Sequence, residues 1–228
     1  MNVAIVVAGG KGTRFGGDRP KQFLELNGIP IIVHTLRQFE RSQQIDTVIL
    51  VTPSEETADL QSLKDKFGLR KVERVVAGGE TRAQSVQKGL AMVENADVVA
   101  VHDGVRPLVT PEEIDQVVIA AGANGAAILV GNVGDTIKEI ENNKVVQTMR
   151  RDRLRRALTP QCFRFDILKR AYEDLAHIEA SGIEVTDDSF LVERLGVNVS
   201  AVPGSARNIK ITTQEDLAIA QRLRKMFY

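Results

Sequence analysis

The chain has one cysteine, no tryptophan and two tyrosines among its 228 residues, and no surplus of either charge. The lone cysteine, Cys162, excludes an intrachain disulfide and any cysteine-based zinc site. Thirty Lys+Arg balance thirty Asp+Glu, which argues against a general nucleic-acid or anionic-membrane binder. Any phosphate chemistry must therefore come from locally placed cations. No apolar run approaches the ~20 residues needed to span a bilayer. The N-terminus has neither a basic stretch nor a cleavage site before the apolar run at 3–7, so it reads as a strand rather than a signal, and the expected location is cytoplasmic.

What is present is ordinary for a globular chain: 43% hydrophobic and 26% charged residues, with enough length to bury a real core. At about 150 residues per domain, residues 1–228 read as a single domain with an elaboration. Short apolar runs at 3–7, 47–51, 74–76, 98–101 and 127–130 alternate with helical periods at 31–40, 54–67, 81–94 and 111–123. Continuously apolar strands separated by helices predict a doubly wound α/β fold with a mostly parallel sheet. Such sheets bind ligands outside the carboxyl ends of their strands. The later part of the chain reads as helices at 164–179 and 187–195, a strand at 197–202 and a last helix from Gln214. Residues 135–149 break the alternation and read as a β-hairpin turning at Asn142-Asn143. An isolated two-stranded hairpin is marginal in water, so this arm, at about 135–150, is expected to pack against a second copy of the chain, the alternative being a flap folded back on its own domain.

Residues 8–21 carry five glycines in nine positions (Gly9, Gly10, Gly12, Gly16, Gly17) and four cations, among them Arg14 and Lys21. A glycine-rich loop after a buried strand can fold its backbone N–H groups around a phosphate. It is not a P-loop, because Lys11 is followed by Gly12 rather than Ser or Thr. Nor is it a dinucleotide fingerprint, because position 15 is Phe. What is left is a longer loop able to wrap a triphosphate.

The segment His102-Asp103-Gly104-Val105-Arg106-Pro107 ends the fourth apolar strand. A carboxylate leaving a strand end over the cleft suits Mg²⁺, which commonly takes one or two carboxylates plus waters and substrate phosphates, so Asp103 is the candidate metal ligand. Arg106 fits either a phosphate contact or an ion pair with Asp103. His102 reads as a packed histidine. Ser85, four residues into the helix after Gly78-Gly79, lacks the His and Asp spacing of a nucleophile and reads as a ligand hydroxyl.

Seven motifs occur in order over essentially the whole chain. They are Ala8-Gly9-Gly10-x-Gly12-Thr13-Arg14-x-Gly16 with Pro20-Lys21-Gln22-Phe23, Gly78-Gly79-x-x-Arg82-x-x-Ser85-Val86, His102-Asp103-x-x-Arg106-Pro107, Asp135-Thr136-Ile137-Lys138, Leu158-Thr159-Pro160-Gln161-x-Phe163, Thr186-Asp187-Asp188 and Asn208-Ile209-Lys210-x-Thr212. Together they resemble the small cytidylyltransferases. The run 81–86 and Thr186-Asp187-Asp188 are more like the methylerythritol-phosphate branch of the non-mevalonate isoprenoid pathway than like the ribitol-phosphate branch.

The resemblance implies a Rossmann-like nucleotidyltransferase sheet with a protruding hairpin arm. It implies that CTP and a polyol phosphate are joined with release of pyrophosphate, assisted by Mg²⁺ held by Asp103. Arg14, Lys21, Arg151 and Lys210 would be catalytic. Ala8, Gly9, Gly10, Gly12, Gly79, Ser85 and Asp103 would bind the nucleotide; Asp103, Arg106, Thr136, Arg151, Thr159 and Lys210 would bind the acceptor. The family's arm crosses a homodimer, so Thr136 and Arg151 would serve the partner's site. Five arginines between 150 and 156 could suggest an RNA patch, but zero net charge and few aromatics oppose nucleic-acid binding. Asp187 and Asp188 read as helix-start residues, favoured there by the dipole.

Overall fold

A computed structural model describes residues 1–9 and 20–227. The chain opens with strand β1 (Asn2–Val7). After a 3₁₀ turn (Lys21–Phe23) come the short strands β2 (Glu25–Leu26) and β3 (Ile29–Pro30), then α1 (Ile31–Arg41) and β4 (Thr47–Thr52). Next are α2 (Thr57–Phe67), β5 (Val72–Ala77), α3 (Arg82–Leu90), β6 (Val98–Asp103), α4 (Pro111–Asn124) and β7 (Ala126–Asn132). The arm is β8 (Lys138–Glu141) and β9 (Lys144–Thr148). Strand β10 (Arg155–Arg164), helices α5 (Phe165–Glu173), α6 (Leu175–Ala180) and α7 (Asp188–Arg194), β11 (Ser200–Pro203) and α8 (Gln214–Phe227) complete the chain.

Seven strands form one sheet in the order β11-β7-β10-β6-β1-β4-β5. β1 pairs in parallel with both β4 and β6. The chain therefore winds outward from β1 through β4 and β5, then returns to the other side at β6. The crevice between β1 and β6 is the switch point at which such sheets bind ligands.

The two faces of the sheet explain why β1 is apolar throughout. Ala4 and Val6 pack into a core with residues of α1, α2 and α4. Val3, Ile5 and Val7 pack on the opposite side with α3, α5, α6 and α7. Burial on both faces is worth about 1.5–3 kcal/mol for each large aliphatic side chain. Helix α4 has a capping box, with Thr110 and Glu113 bonded reciprocally and Pro111 at its start.

Three sequence expectations need correction. Strand β10 was not foreseen: its sequence carries arginines at its start and Pro160, whereas prolines usually mark strand edges. It nevertheless lies between β7 and β6, antiparallel to both, and its register shifts between Ala157 and Gln161, around the proline. The expected helix at 164–179 is two helices parted at Asp174. The strand expected at 197–202 is Ser200–Pro203, paired with β7. The arm, in contrast, is where the pattern put it. Asn142 and Asn143 have φ of 49° and 61°, the left-handed pair that suits a two-residue hairpin turn.

His34 is 1% exposed in α1, with Nε2 2.7 Å from the Leu26 carbonyl oxygen. Burial, opposed by that hydrogen bond, lowers its pKa to about 4. As pH falls through the ordinary histidine range, the unfolded chain takes up this proton before the folded one, so stability falls with pH until about 4. Between pH 7 and pH 5 the unfolding free energy measured in urea should fall by up to about 2 kcal/mol more for the wild type than for His34→Gln, His102 adding a further loss common to both. An equal fall in the two proteins over that interval would count against a neutral, buried imidazole.

Candidate active site

The carboxyl ends of the central strands are locked to one another by backbone bonds. Ala8 N–H donates to Val51 O at 2.7 Å, Gly78 N–H to Thr52 O at 2.7 Å and Gly104 N–H to Val7 O at 2.8 Å. Ala8 at the end of β1, the Gly78-Gly79 turn and the segment after β6 therefore meet at the carboxyl ends of these strands. Position 79 requires glycine, because a Cβ there would lie 2.4 Å from Gln84 Cβ. Ser85 Oγ accepts from Gly79 N–H at 3.0 Å and donates to Thr81 O at 2.9 Å, so this hydroxyl shapes the turn.

Asp103, the last residue of β6, is the centre of the site. Its Oδ1 accepts from Arg82 Nε at 3.1 Å, and its Oδ2 lies 3.1 Å from both Arg106 Nε and Lys210 Nζ. Burial alone would favour the neutral acid, but Arg82, Lys210 and Arg106 hold the carboxyl well below its usual range. Arg106 also donates to Asn208 O at 3.0 Å. Of the two roles open to it from sequence, the structure gives Arg106 the ion pair with Asp103.

Beneath the carboxylate, Asp103 N–H donates to Thr159 Oγ1 at 3.1 Å, and the same hydroxyl lies 3.0 Å from His102 Nδ1. His102 is fully buried and edge-on to Phe39, with ring centroids 5.0 Å apart. Burial, partly countered by Asp103, lowers its pKa to about 3, so the ring is neutral. Asn208 Nδ2 donates to Thr159 O at 2.9 Å, tying the Lys210 segment to β10.

The structure thus gathers Asp103, Arg106, Thr159 and Lys210, with Gly79 and Ser85 on the adjoining turn. Ala8 and Gly9 sit at the end of β1. Lys21 stands in its 3₁₀ turn, anchored by the buried Gln22 and Phe23, and Gln22 Nε2 donates to Glu56. Gly10, Gly12 and Arg14 lie outside the described residues. Thr136 and Arg151 are exposed and do not join the cluster; Arg151 instead donates to Gly134 O at 2.8 Å. At the root of the arm, a concavity of about 670 Å³ is lined by Asn132, Gly134, Arg151, Asp152 and Arg155, among others. Among the described residues, no three His, Cys, Asp or Glu side chains are grouped to hold a metal, and no helix is long and apolar enough to cross a membrane.

Comparison with known proteins decides the family. The model of the family described as IspD, 2-C-methyl-D-erythritol 4-phosphate cytidylyltransferase, matches residues 2–225. The chain belongs to that family. It is an enzyme, a nucleotidyltransferase. The 2-C-methyl-D-erythritol 4-phosphate cytidylyltransferase of Alkaliphilus metalliredigens is 47% identical, over 95% of this chain and 90% of its own. The protein of the same name from Bacillus cytotoxicus is 42% identical, over 97% and 96%. The fold matches the crystal structure of 4-diphosphocytidyl-2C-methyl-D-erythritol synthase from Anaerococcus prevotii, with TM-score 0.85, 31% identity and 98% of each chain covered.

Two of this cytidylyltransferase's site-forming residues were given no chemical role from sequence. Arg82 entered only through its motifs, the Gly78-Gly79 pattern and the run 81–86, and Asp188 only through Thr186-Asp187-Asp188 and as a helix-start acid. In the structure Arg82 Nη2 donates to Asp188 Oδ2 at 2.8 Å, and Asp188 is 0% exposed. The helix cap is Asp187, whose side chain accepts from Phe190 N–H. The signal available was an unmatched pair of acids at 187–188 and an unmatched arginine at 82, but their 106-residue separation hides the pairing.

Because the cations depress the pKa of Asp103, its stabilising contribution is complete above pH 3.8 and is lost only as pH falls below that value. The ¹³C shift of its carboxyl carbon should stay flat from pH 8 to pH 4. A titration step inside that window would disprove the ion cluster.

Proposed function

We propose that this enzyme transfers the cytidylyl group of CTP to 2-C-methyl-D-erythritol 4-phosphate and releases pyrophosphate. The observation that carries the reading is the convergence of Arg82, Arg106 and Lys210 on Asp103 at the switch point of the sheet, together with the family's motifs around it. An oxygen of the acceptor phosphate attacks the α-phosphorus in line, and the bond from that phosphorus to the oxygen of the β-phosphate breaks. The attacking oxygen is already ionised near neutral pH, so no general base and no covalent intermediate are needed.

The obstacle is repulsion between anions. At ~4 Å and an effective dielectric constant near 20, each pair of like unit charges costs about 4 kcal/mol. Fixed cations and positioning therefore supply most of the catalysis. Arg14 and Lys21 bind the triphosphate and offset charge developing at the α-phosphorus. The Ala8–Gly12 backbone, with Gly79 and Ser85, takes the nucleotide. Lys210 and Arg151 hold the acceptor phosphate, with Thr136 adding a hydroxyl and Thr159 and Arg106 supporting Asp103.

Asp103 fits a divalent cation as its one ionised carboxylate, since Mg²⁺ fills its other positions from water and substrate phosphates. Mg²⁺ bound there would neutralise phosphate charge.

The arm argues for a homodimer. Every residue of β8 and β9 is exposed in the single chain, and Ile140, Val145 and Val146 are each more than half exposed, a patch that calls for a covering surface. Thr136 and Arg151 then act in the partner's site. Balanced charge opposes nucleic acid as a partner, and a nucleoside triphosphate as substrate suits a cytoplasmic enzyme.

Pyrophosphate release should be measured with CTP and Mg²⁺ against methylerythritol phosphate and ribitol phosphate in parallel. Release with the first and not the second supports the reading; release with ribitol phosphate alone, or with neither, overturns it. Mixing Arg151→Ala and Lys210→Ala subunits, each inactive alone, should restore one intact site per heterodimer. No recovery, with exchange of subunits verified, would refute the shared site.

A further inference from the structure

Arg82 opens α3, and the reaction described above gives it no contact with either substrate. Its guanidinium nevertheless spans two carboxylates from different parts of the fold. Nη2 donates to Asp188 Oδ2 at 2.8 Å and Nε to Asp103 Oδ1 at 3.1 Å. Asp188 is the immovable end of this chain. It is wholly buried, also accepts from the Tyr172 hydroxyl, and its own N–H donates to Gln161 Oε1 at 3.0 Å. With Oδ1 tied to that anchor, the carboxylate of Asp103 cannot rotate, and its Oδ2 is presented to Arg106 and Lys210 in one orientation. Arg106 needs little help, since it is held at 10% side-chain exposure and by Asn208 O. Lys210 does need it: an ammonium on a flexible four-carbon stem, 38% exposed, has Asp103 as its ion-pair partner.

We propose that Arg82 is a positioning residue for the transfer: backed by Asp188 and Tyr172, it orients Asp103 and thereby places the Lys210 ammonium beside the attacking phosphate. The inference rests on the reading of Lys210 as an acceptor-phosphate ligand. A merely structural Arg82 would serve only to neutralise the buried Asp188.

The two roles separate because a buried ion pair can usually be exchanged for neutral side chains of similar shape at little cost, whereas removing one partner is severe. Arg82→Gln alone should lower both Tm and activity. Adding Asp188→Asn should bring Tm back toward wild type, while kcat stays about 10–100-fold down, the scale of a misplaced group near 1 Å, with KM for CTP little changed. Adding Lys210→Gln to that double variant should leave it no slower than Lys210→Gln alone, because the two act in series. Recovery of kcat along with Tm, or losses that multiply, would reduce Arg82 to a structural role.

Should the double variant fail to fold, Arg82→Lys keeps the charge facing Asp188 but loses the planar fork; a wild-type kcat there would also overturn the proposal, and a reduced kcat at unchanged Tm would support it. If the wild-type enzyme itself releases no pyrophosphate, the functional reading fails on its own account. The positioning role is then decided by a crystal structure of Arg82→Gln/Asp188→Asn: Lys210 Nζ moved away from Asp103 supports it, and an unmoved Lys210 refutes it.

Discussion

The ionised carboxylate of Asp103, with an arginine on one oxygen and an arginine and a lysine on the other, is the interaction on which the site depends. Each member needs the rest. A carboxylate with 8% of its side chain exposed would protonate without its cations, and the cations could not be held close together without an anion between them. The cluster includes Asp188 through Arg82, so three cations face two carboxylates and one positive charge is left over. A chain of zero net charge thereby concentrates positive side chains at one point of the sheet.

The fold supplies that cluster with rigid supports. Asp103 closes a strand buried along its whole length, Arg82 stands at the start of a helix capped by Thr81, and Lys210 follows Asn208, which is bonded to Thr159 in β10. These elements are adjacent because β1 and β6 sit side by side at the switch in winding, with β10 inserted next to them. Thr136 and Arg151, by contrast, are exposed residues on or beside the arm. On the proposed function, the cluster around Asp103 is preorganised within one chain, whereas the contribution of Thr136 and Arg151 rests on the docking of the arm.

Legibility in the sequence followed how local the cause was. Strands β1, β4 and β6 are continuous apolar runs because both faces of the sheet bury them, and the arm turn declares itself through two asparagines that tolerate left-handed backbone. Strand β10 was hidden because Pro160 and the arginines at its start contradict the usual composition of a central strand, while its pairing partners are distant in the chain. Asp103 stood out as a candidate because it ends a buried strand, and the structure shows it gathering three cations. The meaning of Arg106 stayed open until its guanidinium was seen to reach both Asp103 and Asn208.

Taken alone, then, the sequence determined the α/β winding and the arm, because periodicity and turn chemistry are properties of neighbouring residues. Only the tertiary structure decided which charges neutralise which. Ion pairing falls off with distance in space rather than in sequence, and Arg82 meets Asp188 across 106 residues because the sheet brings the start of α3 and the start of α7 to the same edge.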